Sequence, residues 1–141
     1  MRVYKRILLA ADGSKNSIRA AAEAAKIASL INDSIIEVLF VADLSKVKEE
    51  VLHSKNHDDL ILKRQEKLIP IAEFFSTKNI AFEMKMISGD PGPAIVEYAN
   101  REHADLVIIG SRGLNKFQEF VMGSVSHKVV KLVQCPVMVV K

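Results

Sequence analysis

Four short runs of uninterrupted apolar residues limit this chain more than any other feature: Ile7–Ala11, Val38–Ala42, Leu106–Ile109 and Val137–Val140. Each spans four or five residues and does not alternate with polar ones. A strand wetted on one face alternates, whereas a strand covered on both faces does not. The runs therefore predict strands of a parallel sheet with helices on either side. A fifth run, Ala81–Ile87, does alternate, with Phe82, Met84 and Met86 on one face and Glu83 and Lys85 on the other. It predicts a strand with one wet face, at a sheet edge.

Helical patterns fill the gaps. Ser14 can cap a helix whose inner stripe is Ile18, Ala21, Ala25 and Ala28, small enough to sit close to a sheet. A long helical stretch runs from about Asp58 to Lys78, with Leu60, Leu68, Ala72 and Phe75 inward and a kink or break expected near Pro70. Pro93 opens a helix with Ile95, Tyr98 and Ala99 inward. Ser124 opens the last, with Val125, Val129, Leu132 and Val133 inward and Lys128 and Lys131 outward. The resulting order, β-α-β-α-β-α-β-α-β, predicts a doubly wound α/β sheet. With 141 residues and no repeat, low-complexity tract or linker, a single domain over 1–141 is expected. The polar segment Asp43–His57 is long for a βα connection and is a candidate flap.

Charge narrows the partners. Twenty Lys and Arg face seventeen Asp and Glu, a formal net charge of +3, and they are scattered rather than clustered. Nucleic-acid binders show a basic stripe and stacking aromatics. This chain has no Trp and two Tyr, so nucleic acid is not expected as its ligand. The longest apolar run is five residues, against the roughly twenty a membrane helix needs, so no span is expected. The single cysteine, Cys135, cannot form an internal disulfide. With no signal-peptide pattern at Met1–Lys5, a reducing cytoplasm is the expected location. Cys135 itself reads as a small packed residue.

The most specific motif is Gly110-Ser-Arg-Gly113, then nine residues, then Gly123-Ser124. Three glycines and a Ser or Thr at fixed spacing arise by chance in about half a percent of chains this long. Gly110 follows an apolar strand and Gly123 precedes a helix. In open α/β sheets, ligands bind at the carboxyl ends of strands. Glycine lets a phosphate approach the backbone, and the free amides and dipole of a helix N-terminus favour the anion. Ser124 adds a hydroxyl and is a candidate cap. Arg112, Lys116 and Lys128 are near enough in sequence to supply charge. The same glycines would also serve a plain strand exit and helix start.

The spacing G-x2-G-x9-G-S resembles the nucleotide-binding motif of the universal stress protein family, in its ATP-binding branch. The similarity covers nearly the whole chain, from Arg6-Ile-Leu-Leu-Ala-Ala-Asp-Gly-Ser14 and Val38-Leu-Phe-Val-Ala-Asp43 through Ala104–Gly113 and Gly123–Lys128 to Cys135-Pro-Val-Met-Val-Val140. Phe40 stands where a histidine is common, and Ala10 where some relatives have proline. The resemblance implies a Rossmann-like, five-stranded parallel sheet in the order 3-2-1-4-5, of the adenine nucleotide alpha hydrolase kind. It also implies a homodimer through Val137–Val140, an apolar strand that at an edge invites pairing. It implies that Asp12 faces the ribose or a nucleotide-bound Mg²⁺, and that Val41 meets adenine through its backbone. Gly110, Gly113, Gly123 and Ser124 then hold ribose and phosphates, with Val125 and Ser126 close by. Ala10 and Ile109 are the implied apolar walls.

Other candidates carry less. Asp12-Gly13-Ser14 alone is common turn and cap chemistry. His53 and His57 are four apart and can share a helix face toward a metal, but no third ligand is fixed by spacing. His127 lies in the first turn of the last helix, where a solvated or capping role is expected, and His103 is expected to be exposed. The chain lacks a Gly-x4-Gly-Lys-Ser/Thr loop, a Gly-x-Gly-x-x-Gly turn and a Gly-x-Ser-x-Gly elbow. Nothing marks a general base. The expectation is a stress or signalling protein that binds ATP with Mg²⁺ and at most hydrolyses it slowly. The alternatives are a dimeric interaction protein without nucleotide, and a weak ATPase or phosphotransferase.

Overall fold

The strand Arg6–Ala10 (β1) is the axis of the sheet, with two strands on either side of it. A computed structural model describes residues 3–43, 62–63, 65–111 and 122–141. Within them, β1 is followed by α1 (Lys15–Ser29), β2 (Ile35–Ala42), α2 (Ile69–Thr77), β3 (Phe82–Ser88), α3 (Pro91–Arg101), β4 (Leu106–Gly110), α4 (Ser124–Leu132) and β5 (Val137–Val140). The strands form one sheet ordered β3-β2-β1-β4-β5, and all pairs are parallel. This is the expected doubly wound order, with the alternating strand at one edge and the apolar last strand at the other.

Residue parity divides the core in two. Ile7 and Leu9 of β1, with Ile36, Val38, Phe40, Leu106 and Ile108, face α1 and α2. Leu8 and Ala10, with Leu39, Val107 and Ile109, face α3 and α4. Both sets are buried, so consecutive residues must all be apolar. Helix α1 buries Ser17, Ala20, Ala21, Ala24, Ala25 and Ala28, and this small-residue stripe allows a close approach to the sheet. Ile18 was expected inward but is 43% exposed. It lies about a quarter-turn round the helix from the centre of that stripe, where only a rim contact remains.

The expected break near Pro70 is present, and three further expectations change. The break near Pro70 is a turn at Lys67–Leu68, after which α2 begins anew with proline in its first turn, so no hydrogen bond is lost there. Leu68 and Phe75 are buried and Ala72 half-buried, as expected; Ile71 joins them, and Leu60 lies outside the described residues. Helix α3 opens at Pro91 rather than Pro93, since the first turn accepts both prolines. Ile95, Tyr98 and Ala99 do point inward. In β3, Phe82 packs against Phe75 with ring centroids 5.6 Å apart, but Met84 and Met86 are 41% and 46% exposed. Among the described residues, α2 packs on this edge strand at its Phe82 end. Leu132, expected inward on α4, is 48% exposed. It closes a helix that lies beside the last strand, where little sheet remains to cover it.

Strand β2 starts three residues earlier than its apolar run, at Ile35, and so includes Glu37. Arg6 Nη2 donates to Glu37 Oε1 at 2.8 Å, and the Tyr98 hydroxyl donates to Glu37 Oε2 at 3.1 Å. Arg6 Nη1 also donates to the Glu102 carbonyl at 2.5 Å. Burial and the Glu37 hydrogen bond push the Tyr98 hydroxyl up to about 12, and the Glu37 carboxylate raises Arg6 above its ordinary value. Around this group lies a cavity of about 10 Å³, room for one water. It sits at the amino ends of β1 and β2, opposite the end where α/β sheets bind ligands.

Candidate functional site

At the carboxyl end of β1 the chain turns through Ala11, Asp12 and Gly13 into α1. Asp12 is exposed, and its Oδ1 accepts from the Ser14 amide at 2.8 Å. Ser14 caps α1, its hydroxyl accepting from the Ser17 amide at 3.2 Å. Gly13 has φ of 82°, and a Cβ there would lie 2.5 Å from the Lys67 Cβ. The Asp-Gly-Ser turn thus has a structural reason for each residue. It still leaves the Asp12 carboxylate facing solvent beside the strand ends.

The end of β4 is held more tightly. A Cβ on Gly110 would lie 2.7 Å from the Asn16 backbone in the first turn of α1. The glycine therefore serves helix–strand contact, whatever else binds there. Its carbonyl accepts from the Ser126 hydroxyl at 3.0 Å. The next residue, Ser111, is buried; its amide donates to the Val140 carbonyl at 2.8 Å, and its carbonyl accepts from Asn16 Nδ2.

Helix α4 faces the same end. Its cap is Gly123, with φ of −65° and ψ of 161°, and not Ser124, which is the first helical residue. Glycine has no side chain to satisfy the first amides, and no side-chain cap bond is made. An α-helix that starts this way presents free N–H groups and a positive dipole end to an anion. Ser124 is exposed and Val125 half-buried. Ser126 is buried and already occupied by the Gly110 carbonyl, so it braces the site rather than facing it.

Ala10 and Ile109 are register partners on the α3/α4 face, and Val41 and Val125 pack onto that same cluster. The expected apolar walls and base contact therefore share one side of the sheet with the start of α4. Arg112 and Gly113 lie outside the described residues, as do Lys116, His53, His57 and all of the candidate flap beyond Asp43. Lys128 points elsewhere along its stem: a Cβ on Gly92 of α3 would be 3.1 Å from its Cδ. His127 and His103 are exposed. Burial pushes the Cys135 thiol up, in keeping with a packed residue. Among the described residues, no three His, Cys, Asp or Glu side chains gather as a metal centre, and no helix is long and apolar enough to cross a membrane.

Sequence reasoning passed over Asn16 and Ser111. The signal was an asparagine one residue inside a helix, a poor helix former whose amide seeks a specific partner.

Known proteins share the fold that carries these residues. A universal stress protein of Methanocaldococcus jannaschii is 33% identical over 144 residues, covering 99% of this chain and 83% of that protein. The solved structure of hypothetical protein MJ0577 superposes with a TM-score of 0.82 at 28% identity, covering 98% of this chain and 96% of the other. Two solved universal stress proteins share the fold at lower identity. One, from Arabidopsis thaliana with AMP bound, has a TM-score of 0.70 at 24% identity, covering 97% and 91%. The other, in complex with cAMP, has a TM-score of 0.72 at 21% identity, covering 99% and 98%. The model of the Universal stress protein family matches residues 3–141. With the 3-2-1-4-5 sheet and the glycine-opened last helix, this match across the chain makes it a member of the universal stress protein family.

Proposed function

We propose that the chain binds an adenine nucleotide, ATP with Mg²⁺, at the carboxyl ends of β1, β2 and β4. The observation that carries this reading is the start of α4, where Gly123 leaves the first amides without a side-chain partner beside the exit of β4. The AMP and cAMP bound by the two solved relatives favour an adenine ligand. Phosphates would meet the amides of Gly123, Ser124 and Val125 and the Ser124 hydroxyl, with Gly110 across from them; Arg112 and Gly113, outside the described residues, are proposed as further ligands from the motif alone. Ala10, Ile109 and the Val41 backbone would take ribose and base. The exposed Asp12 carboxylate fits a nucleotide-bound Mg²⁺, which keeps several waters and takes one carboxylate plus phosphate oxygens.

The proposed role is a nucleotide-dependent switch in stress response or signalling, with binding rather than turnover as its business. Edge strand β5, with all four residues half-buried, is proposed to pair with a second copy. Titration calorimetry with ATP tests the site. Heat of binding that disappears in Gly123→Val supports it; no heat and no thermal shift at millimolar ATP overturns it. Nucleotide staying intact for hours on the protein separates this reading from an ATPase.

A further inference from the structure

The geometry points to Asn16 as the residue that positions the β4 exit for phosphate binding, with Arg19 fixing which way its amide faces. This rests on the nucleotide reading above, but it concerns a residue outside the glycine motif. Ser111 is 2% exposed, and its carbonyl can only accept. Left without a donor it would be a buried unsatisfied oxygen. Asn16 Nδ2, from the first turn of α1, supplies the donor. An asparagine amide has two nearly identical ends, so something must choose between them. Arg19 has only donors; its Nη2 reaches Asn16 Oδ1, which turns the amino end toward Ser111.

The arrangement closes on itself. Arg19 Nε donates to the Lys141 carbonyl at 3.0 Å, and the Ser111 amide donates to the neighbouring Val140 carbonyl at 2.8 Å. On its other side, the Gly110 carbonyl is held by Ser126 in the first turn of α4. The peptides of Gly110 and Ser111 are thus braced by both helices whose N-termini face the site. Fixing this exit relative to α4 sets the distance between the two walls of the phosphate cradle, and leaves the adenine wall at Ala10 and Val41 untouched.

The substitution Asn16→Asp tests this together with Asn16→Leu, an uncharged control, because a carboxylate beside the strand exit would by itself repel ATP and not adenosine. An ATP loss confined to Asn16→Asp overturns the inference. Asn16→Asp keeps the shape and the Arg19 contact, and a carboxylate near the start of a helix offsets part of the cost of the lost donor; a thermal melt of each variant establishes that it is folded. It replaces the donor to Ser111 with an acceptor. Affinities for ATP and for adenosine are measured by calorimetry on wild type, Asn16→Asp, Asn16→Leu and Arg19→Met. Expected is about a tenfold loss for ATP in Asn16→Asp and in Asn16→Leu, from a buried acceptor left unpaired, with adenosine within twofold of wild type. Arg19→Met loses ATP affinity less, in the same direction. Equal ATP affinity in wild type and Asn16→Asp overturns the inference and leaves the nucleotide reading standing. Parallel loss of ATP and adenosine also overturns it, because the role is then structural. Failure of wild type to bind ATP removes the nucleotide reading, and this inference with it.

Discussion

The Ser126 hydroxyl donates to the Gly110 carbonyl across 3.0 Å, joining the first turn of α4 to the last residue of β4. Ser126 is buried and Gly110 half-buried, so removing the hydroxyl takes one hydrogen bond from a partly shielded carbonyl. Ser126→Ala is expected to cost about 0.5–1.5 kcal/mol of folding stability. Urea unfolding followed by circular dichroism measures it, and a loss below a few tenths of a kcal/mol contradicts the assignment.

Gly110 is the tighter of the two residues. Its absent Cβ leaves room for Asn16 carbonyl carbon and oxygen atoms, both 2.7 Å from where that Cβ would stand. Backbone cannot swing aside as a flexible side chain can. Gly110→Ala is expected to destabilise the nucleotide-free protein by about 1–3 kcal/mol through overpacking alone. Thermal melts without ligand decide this: an unchanged melting temperature means the glycine is there only for a ligand.

Tyr98 offers a pH test at the opposite end of the sheet. Its hydroxyl is raised from 10.0 to about 12, mainly by burial and then by the Glu37 hydrogen bond. A pKa raised on folding means that the protonated phenol is favoured in the folded state. The associated stability is complete below pH 10, falls as the unfolded chain ionises first, and is gone above about 12. Absorbance at the tyrosinate band, read in Tyr4→Phe so that one tyrosine remains, should show a late titration. Glu37→Gln should move it only part of the way back, because burial is the larger cause.

His103 ends α3 with φ of 53°, in the left-handed region where a side chain is strained. Its amide bonds to the Asn100 carbonyl at 3.4 Å, and the Ala104 amide to the Ala99 carbonyl at 3.0 Å. This helix ending suits glycine. The imidazole is exposed and has little packing to lose. His103→Gly is expected to raise stability by about 0.5–1 kcal/mol, measured by urea unfolding.

Most of the architecture was legible because β1, β2 and β4 are covered on both faces, which forces consecutive apolar residues and makes each strand visible. The edge strand β3 was legible through its alternation, although Glu83, Met84, Lys85 and Met86 are all exposed and only Phe82 and Ile87 are half-buried. The parts that escaped are those where one residue's environment depends on a distant one. Glu37 interrupts the apolar pattern of β2 and shortened the expected strand by three residues, because nothing local reveals its ion pair with Arg6. Ile18 matched the helical period, but the alanines around it had already filled the contact face. At the site, the glycine spacing located the strand exit and helix start, though the cap fell on Gly123 rather than Ser124. Asn16 was missed because its partner lies 95 residues away.

The close approach of α1 to Gly110 bears on how such a chain diverges over time. A lineage that abandoned its ligand would be released from some of the motif's constraints but not from all of them. Gly123, whose backbone is ordinary, would be free to drift. Gly110 would persist, held by the helix lying on it. Among descendants with no ligand at this end of the sheet, the surviving first glycine would be a relic of packing, and only the third would be left to vary.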